Sequence, residues 1–488
     1  MSLVRTVPPL LDLIDGELLP PTIAMGVWLE DPNTRTPLQQ QMATNEENIE
    51  RALAAAWRVH ASGEWAEMPV AERCERLAAF SAELDRRKDE IARREALTTG
   101  VILGLTSMLQ VIVSGAWHLA NQQLQSGWQR SSLPGPNNHE VEIHRRPLGP
   151  ALCLVPWNAP APMAAHKVAN ALAAGCPAIL KPTEWAPNGC DLFGEAARAA
   201  GLPNGVFQIV HGGPATGSAL VNDHRIRAVS FTGGLAGGRA IARACAEDFK
   251  PAQLELGGNN PVVVLEDADL DEAARGVAAL LTSLNGQWCR ALGRLLVHES
   301  IAAKLLERTL QMLREVKLGD SLSFETQMGP LVHSLHLEKI NGQLAELISK
   351  GGTAHSVTPL PDLPGNFLAP TLVTDVVRED AQHEIFGPVG TVHTFATDAE
   401  AVQLANDTPY GLEGYVFGQD EERAMNVGRR IRAGGVKING ATLMSLHLLA
   451  PRAAWGLSGL GIEGTMETFQ FFCGTQVVGI EGPQNFGS

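Results

Sequence analysis

The chain lacks a long basic run. Its 38 lysines and arginines stand against 53 acids, a net charge of −15, which argues against nucleic acid and anionic membrane as partners. It also lacks an unbroken apolar run of about 20 residues, so no membrane span is expected. The seven cysteines (74, 153, 176, 190, 245, 289 and 473) are scattered rather than spaced as a disulfide framework. Met1-Ser2-Leu3-Val4-Arg5 has no continuous apolar core of the signal-peptide kind. Both features point to a reducing, cytoplasmic setting. Neither CxxC nor HExxH spacing occurs among the 7 cysteines and 14 histidines, so no metal is expected. Internal repeats and low-complexity tracts are absent as well.

What is present reads as an α/β enzyme. Hydrophobic content of 45% with 49 glycines suits a turn-rich fold, and 488 residues exceed one core, so two or more domains are expected. Residues 8–42 read as short strands and turns, broken by Pro8-Pro9 and Pro20-Pro21. Thr44, with Glu47 three residues on, predicts a helix cap. Helical spacing then continues to Gly104 and returns over 72–81 and 89–97. Residues 128–140 are polar and lead into 141–146, a projecting hairpin. From Ala151, short apolar runs alternate with helical stretches (151–155, 163–174, 177–180, 189–200, 206–210, 229–231), the pattern of a Rossmann-type parallel sheet. A second α/β pattern follows Val262, with helices near 270–281 and 301–316.

Several stretches carry chemistry. In Leu284-Asn285-Gly286-Gln287-Trp288-Cys289-Arg290 a cysteine stands between a bulky aromatic and a cation. Thiolate is the nucleophilic form, and nearby positive charge favours it. Taken alone, such a cysteine is more often a small buried hydrophobe. A thiol attacking a carbonyl also needs a base and oxyanion donors. Glu255, before Leu256-Gly257-Gly258-Asn259, and Asn158, in Pro156-Trp157-Asn158-Ala159-Pro160, are the candidates; otherwise they are a strand-end acid and a turn residue. Lys181-Pro182-Thr183-Glu184 follows a buried strand whose C-terminal end would face a ligand crevice. By themselves these two charges read better as an exposed pair. Phe231-Thr232-Gly233-Gly234 and the glycines after it read as a strand, a turn and a helix over 239–247, able to receive a phosphate at the helix N-terminus or to make a plain turn.

Together with Glu384-Ile385-Phe386-Gly387-Pro388-Val389 and Asn406-Asp407-Thr408-Pro409-Tyr410-Gly411-Leu412, these stretches occur in an order that resembles the aldehyde dehydrogenase superfamily, from Ile14-Asp15-Gly16-Glu17 to the C-terminal tail. The resemblance implies an NAD(P)-dependent, non-acylating enzyme. It implies a Rossmann-type cofactor domain (1–125 and 148–255), an α/β catalytic domain (256–457), and a small β bridging element (128–147 and 474–488). The bridging element, with a strand at 475–480, would join subunits in a homodimer or homotetramer. Cys289 would be the nucleophile, Glu255 the base that activates the hydrolytic water, and Asn158 half of the oxyanion hole, the Cys289 N–H being the other half. Cofactor contacts would fall on Val155, Pro156, Trp157, Lys181, Glu184, Gly213, Phe231, Gly233, Gly234, Leu256, Glu384 and Phe386, the last two at the nicotinamide ribose. Glu184 favours NAD over NADP, since a carboxylate repels a 2′-phosphate.

The sequence departs from the family around the expected substrate tunnel. Ala159 stands where phenylalanine is common, His166 where tryptophan is frequent, and Arg452 where an aromatic is usual. Trp288 is bulkier than most residues at its place, and Gly234 replaces a phosphate-binding serine. With Met163 as a further wall residue, the lost aromatic volume predicts a roomy mouth and a medium or large apolar or aromatic aldehyde. A carboxylate-bearing semialdehyde held by Arg452 is the alternative, unless Arg452 lies at a subunit contact. CoA-acylating chemistry, against which Glu255 counts, and a non-catalytic binding protein are the others.

Overall fold

A computed structural model describes residues 4–135 and 139–481. The strands Ala151–Leu154, Ala178–Lys181, Phe207–Ile209 and Ala228–Thr232 are buried almost throughout because helices cover both faces of their sheet. They pair in parallel, and Ala252–Glu255 extends them on one side. Asp12–Ile14 and Glu17–Leu19 close the opposite edge antiparallel. Gly459–Leu460 pairs antiparallel with Ala252–Glu255 and completes eight strands. A second sheet has seven strands, with Leu292–His298, Asn260–Val264 and Glu413–Phe417 adjacent and parallel at its centre and Gly435–Ile438 at one edge. Cys473–Gly479 pairs with Glu140–Pro147, which pairs with Arg130–Pro134, in a separate antiparallel sheet. Positions 136–138 and 482–488 of the expected bridging element lie outside the described residues.

Three local expectations need correction. The helix Glu46–Ser62 is capped by Asn45, whose side chain accepts from the Asn48 N–H, not by Thr44. Thr44 is buried, and its hydroxyl donates to Asp12 Oδ1 at 2.8 Å, which removes it from capping. The helix expected over 239–247 spans Leu235–Glu247. Its two glycines sit inside the helix because packing needs them: a Cβ on Gly238 would lie 2.6 Å from Leu256. The helical pattern also does not stop at Gly104. Gly100, at φ 77°, ends one helix, and Leu103–Gln125 follows. By length and composition this helix is long and apolar enough to cross a membrane. Here Val113, Ala116, Trp117, Ala120 and Leu124 lie in the main core.

Parallel strands present their C-terminal ends to a common crevice. Lys181, Thr232 and Glu255 each end one of these strands, and two adjoining cavities open there.

Candidate active site

The loop before Cys289 is held in an uncommon shape. Leu284, Asn285 and Gly286 have φ values of 49°, 58° and 71°, the left-handed region that side chains disfavour. Asn285 sustains it by donating to the carbonyls of Gly100 and Pro330, both at 2.8 Å, while its Oδ1 accepts from the Gly329 N–H at 2.9 Å. Gly286 is obligatory, since a Cβ would come within 2.3 Å of Pro388 N. Gln287 Oε1 accepts from the Val332 N–H at 3.0 Å. Cys289 is therefore presented, half-buried, by a pinned turn.

Glu255 stands beside the thiol, within hydrogen-bonding reach, in the smaller cavity of about 230 Å³, which Asn158 also lines. Burial pushes the Cys289 thiol well above its ordinary value and the Glu255 charge adds to this, while Arg290 opposes both. The cation that flanks the cysteine in sequence is not free. Arg290 is paired with Glu413. Burial also raises Glu255, reinforced by the neighbouring carboxylate of Glu463. Burial would raise Glu463 too, but Lys167, His166 and Arg452 outweigh it and hold that group low. Two facing carboxylates are thus driven apart: Glu463 keeps its charge and Glu255 tends to take a proton. Asn158 Nδ2 donates to the Gln287 carbonyl at 2.8 Å, which leaves its second N–H for an oxyanion.

The larger cavity, of about 420 Å³, is lined by Val155, Pro156, Trp157, Lys181, Glu184, Gly213, Phe231, Gly233 and Gly234, nine of the expected cofactor contacts. Gly234 is the N-cap of Leu235–Glu247, with no side chain satisfying the helix's first amides, so these remain for an anion. Lys181 and Glu184 are not the exposed pair that the residues alone favoured. They stand 3.9 Å apart with little exposure, and Lys181 Nζ also donates to the carbonyls of Pro182 and Gly212. The remaining three candidates do not line this cavity. Leu256 packs under the helix, and Phe386 meets the Trp157 ring edge-on at 5.3 Å. Glu384 Oε1 accepts from the Gly258 N–H at 2.8 Å, and burial lifts its carboxyl to about 7. Trp185 and Ser218 line the cavity without having been read from sequence. So does Thr232, which lines both cavities and has a buried Oγ1 with no partner.

Ala159, Met163, His166, Trp288 and Arg452 all line the smaller cavity. Its wall differs from the expected one in being charged. Glu463, which lines it, is paired with the fully buried Lys167, whose Nζ is 2.7 Å from Glu463 Oε1 and 3.0 Å from Ser230 Oγ. Arg452 Nη2 stands 3.7 Å from Glu463 Oε2 and 3.4 Å from His166 Nε2. Burial, with Arg452 beside it, lowers His166 to about 3, so it is neutral near pH 7. Arg290, Glu413 and Lys437 form another part of the wall, and Leu109 and Ile112 contribute from Leu103–Gln125. None of Lys167, Glu463, Glu413 and Lys437 was expected from sequence. Among the described residues no group of three or more His, Cys, Asp or Glu could hold a metal ion.

A sequence profile of the "Aldehyde dehydrogenase family" matches residues 26–478. The peroxisomal aminoaldehyde dehydrogenase 2 of Malus domestica is 36% identical over 437 residues, covering 87% of each chain. The chloroplastic betaine aldehyde dehydrogenase of Beta vulgaris is 34% identical and covers 92% of each. Among solved structures, the betaine aldehyde dehydrogenase of Staphylococcus aureus in complex with NAD+ matches with a TM-score of 0.93 at 28% identity, over 100% of this chain and 97% of that one.

Proposed function

This chain belongs to the aldehyde dehydrogenase family, and from that premise we propose that it oxidises a semialdehyde bearing a carboxylate to the corresponding acid, with NAD. Aldehyde oxidation with NAD is the activity. The larger cavity would hold NAD, which would supply the hydride acceptor. Cys289 Sγ attacks the carbonyl carbon, and Asn158 Nδ2 with the Cys289 N–H stabilises the oxyanion. Once the carbon is oxidised, the acyl group is held as a thioester on Cys289. Glu255 takes a proton from water, which then releases the acid. The fit of the cofactor rests on the free amides at Gly234 and on the unpartnered Thr232 hydroxyl where the two cavities meet.

The observation that carries the carboxylate is the charge balance around Arg452. Glu463 is shared by Lys167 and Arg452 and sits closer to Lys167, while His166 is neutral. Two cations thus share this one carboxylate, and Arg452, the more distant of the two, borders the cavity. The expected apolar or aromatic aldehyde is not supported by such a wall, where Trp288 is the aromatic side chain beside Cys289. The relatives named above, aminoaldehyde and betaine aldehyde dehydrogenases, make an aldehyde with a cationic end the second reading. A cation binds well to aromatic faces or to free carboxylates. Here Glu413 and Glu463 are already paired with cations, and Glu255 beside the thiol serves the hydrolytic water.

The test is kcat/KM for a carboxylate semialdehyde, an aminoaldehyde and acetaldehyde, with and without CoA. The carboxylate substrate leads, and Arg452→Ala lowers its kcat/KM by about 10–100-fold, the scale of a charge-assisted hydrogen bond. A lead for the aminoaldehyde that survives in Arg452→Ala would overturn this choice of substrate. Dependence of turnover on CoA would favour the acylating reaction instead.

Glu184 sets the cofactor preference in the same way. A 2′-phosphate near its carboxylate meets like charge, so kcat/KM with NAD exceeds that with NADP, and Glu184→Gln narrows the gap. An NADP preference in the unaltered enzyme would remove Glu184 from this role.

We also propose the division into a cofactor domain (1–125 and 148–255), a catalytic domain (256–457) and a bridging element (128–147 and 474–488) that joins copies into a homodimer or homotetramer. The exposure of Val477 and Val478 on the small sheet, and of Ile480 just beyond it, supports the last point. All seven cysteines are unpaired, which supports a reducing, cytoplasmic setting.

A further inference from the structure

Several contacts converge on the two residues Cys289 and Arg290. Asn260 Nδ2 donates to the Cys289 carbonyl at 2.9 Å, and the Tyr415 hydroxyl donates to the Arg290 carbonyl at 2.8 Å. The Arg290 guanidinium pairs with Glu413. Glu413 and Tyr415 are two residues apart on the strand Glu413–Phe417 and so share a face. Across the ladder Gly435 stands opposite Glu413 and Lys437 opposite Tyr415. Gly435 leaves the room Glu413 occupies, since a Cβ there would lie 3.1 Å from its carboxylate. Lys437 is engaged elsewhere, donating to the carbonyls of Thr442 and Met444 at 2.7 and 2.9 Å. The Glu413 N–H donates to Asn260 Oδ1 at 3.1 Å, which ties this strand back to the contact on the Cys289 carbonyl.

We propose that the Arg290–Glu413 pair is a positioning element for the nucleophile: it anchors the residue that follows Cys289 and holds a positive charge one residue from the thiol. The charge has something to oppose. The groups around the thiol are Glu255 from Ala252–Glu255, Glu384 from its loop, Arg290 beside it, Glu413 and Tyr415 from one strand and Lys437 from the next. His166, Arg452 and Glu463 lie farther along the cavity wall. Two carboxylates, Glu255 and Glu384, disfavour the thiolate, and Arg290 counters them. Glu413 keeps the guanidinium in place and tempers its charge. Arg290 and Glu413 act through Cys289, and neither is assigned a bond to the substrate.

The inference rests on Cys289 being the nucleophile, and its test does not need turnover. The rate of iodoacetamide modification at Cys289, followed by mass spectrometry across pH in the full-length enzyme, reports the thiolate directly. Arg290→Met raises the midpoint by about one pH unit or more, the usual size of an opposite-charge effect at close range. Arg290→Lys, which keeps the charge, restores most of the shift. Glu413→Gln, which removes the tempering anion, moves the midpoint down. A merely structural pair would not move the two single variants in opposite directions. Midpoints that stay put, or that shift the same way in Arg290→Met and Glu413→Gln, overturn the proposal. NAD binding serves as the folding control. If Arg290→Met does not fold, Glu413→Gln alone decides, a downward shift supporting the proposal and any other result overturning it. Turnover retained in Cys289→Ala would instead sink the reading of the reaction and leave the alkylation result standing.

Discussion

Replacing Cys289 by alanine abolishes aldehyde-dependent NADH formation, by on the order of 10⁶-fold if the loss matches that of other covalent nucleophiles. NAD affinity is nearly unchanged, because Cys289 lines the smaller cavity and is not among the residues of the larger one. The substitution is also mild for the fold. It removes a thiol whose ionised form is opposed by burial and by Glu255, and it leaves intact the backbone contacts of the loop, which are made by Asn260, Asn285 and Gln287. Titration with NAD and a steady-state assay on one preparation separate the two effects. Alanine enzyme that still turns over would end the thioester route.

Glu255→Gln gives a different failure. Attack and oxidation proceed once, so a single burst of NADH appears, and the steady-state rate then falls by about 10²–10⁴-fold, the usual contribution of a positioned base. Mass spectrometry of the stalled enzyme finds the acyl group on Cys289. Near-normal turnover with no adduct would assign the base elsewhere. The direction of the pH profile follows from the same geometry. Burial and Glu463 raise Glu255 above the ordinary 4.5, so its basic form is lost as pH falls through that raised value. The acid limb of kcat therefore lies above the range of a solvated glutamate, and it disappears in Glu255→Gln.

Much of the centre was legible because it depends on short stretches of chain. Asn158, Glu255 and Cys289 each sit in a motif whose glycines or prolines fix the local backbone, and the fold brings all three to one cavity. The charged wall was harder to read. Lys167 did leave a signal: Met163, His166 and Lys167 fall at positions i, i+3 and i+4 of Pro160–Ala174, one face of one helix. Glu413 left another, as a lone acid in an otherwise apolar strand, which is seldom buried without a partner. Glu463 left none. Its partner is nearly three hundred positions away, and the pairing exists only because helix and C-terminal segment meet in the folded chain. Arg452 was recognised as unusual, but whether it faced the cavity depended on that same long-range meeting. Thr44 failed for a similar reason, since a distant Asp12 competes for its hydroxyl.

The pairing of Leu254 with Leu460 and Glu255 with Gly459 has a consequence for how the molecule comes into being. The strand that ends in the base is made about midway through synthesis, and its neighbour on that side is made roughly two hundred residues later, a separation that slows folding through the entropy of closing so long a loop. Arg452 and Glu463, which shape the charged wall, arrive in the same late segment. During synthesis the nascent strand must wait with that edge uncovered, at a stage when exposed edges invite association with other chains. Assembly of the catalytic centre is thus deferred until nearly the whole polypeptide has left the ribosome, and a chain that ends before Arg452 holds Asn158, Glu255 and Cys289 without the strand and the charged groups that complete their surroundings.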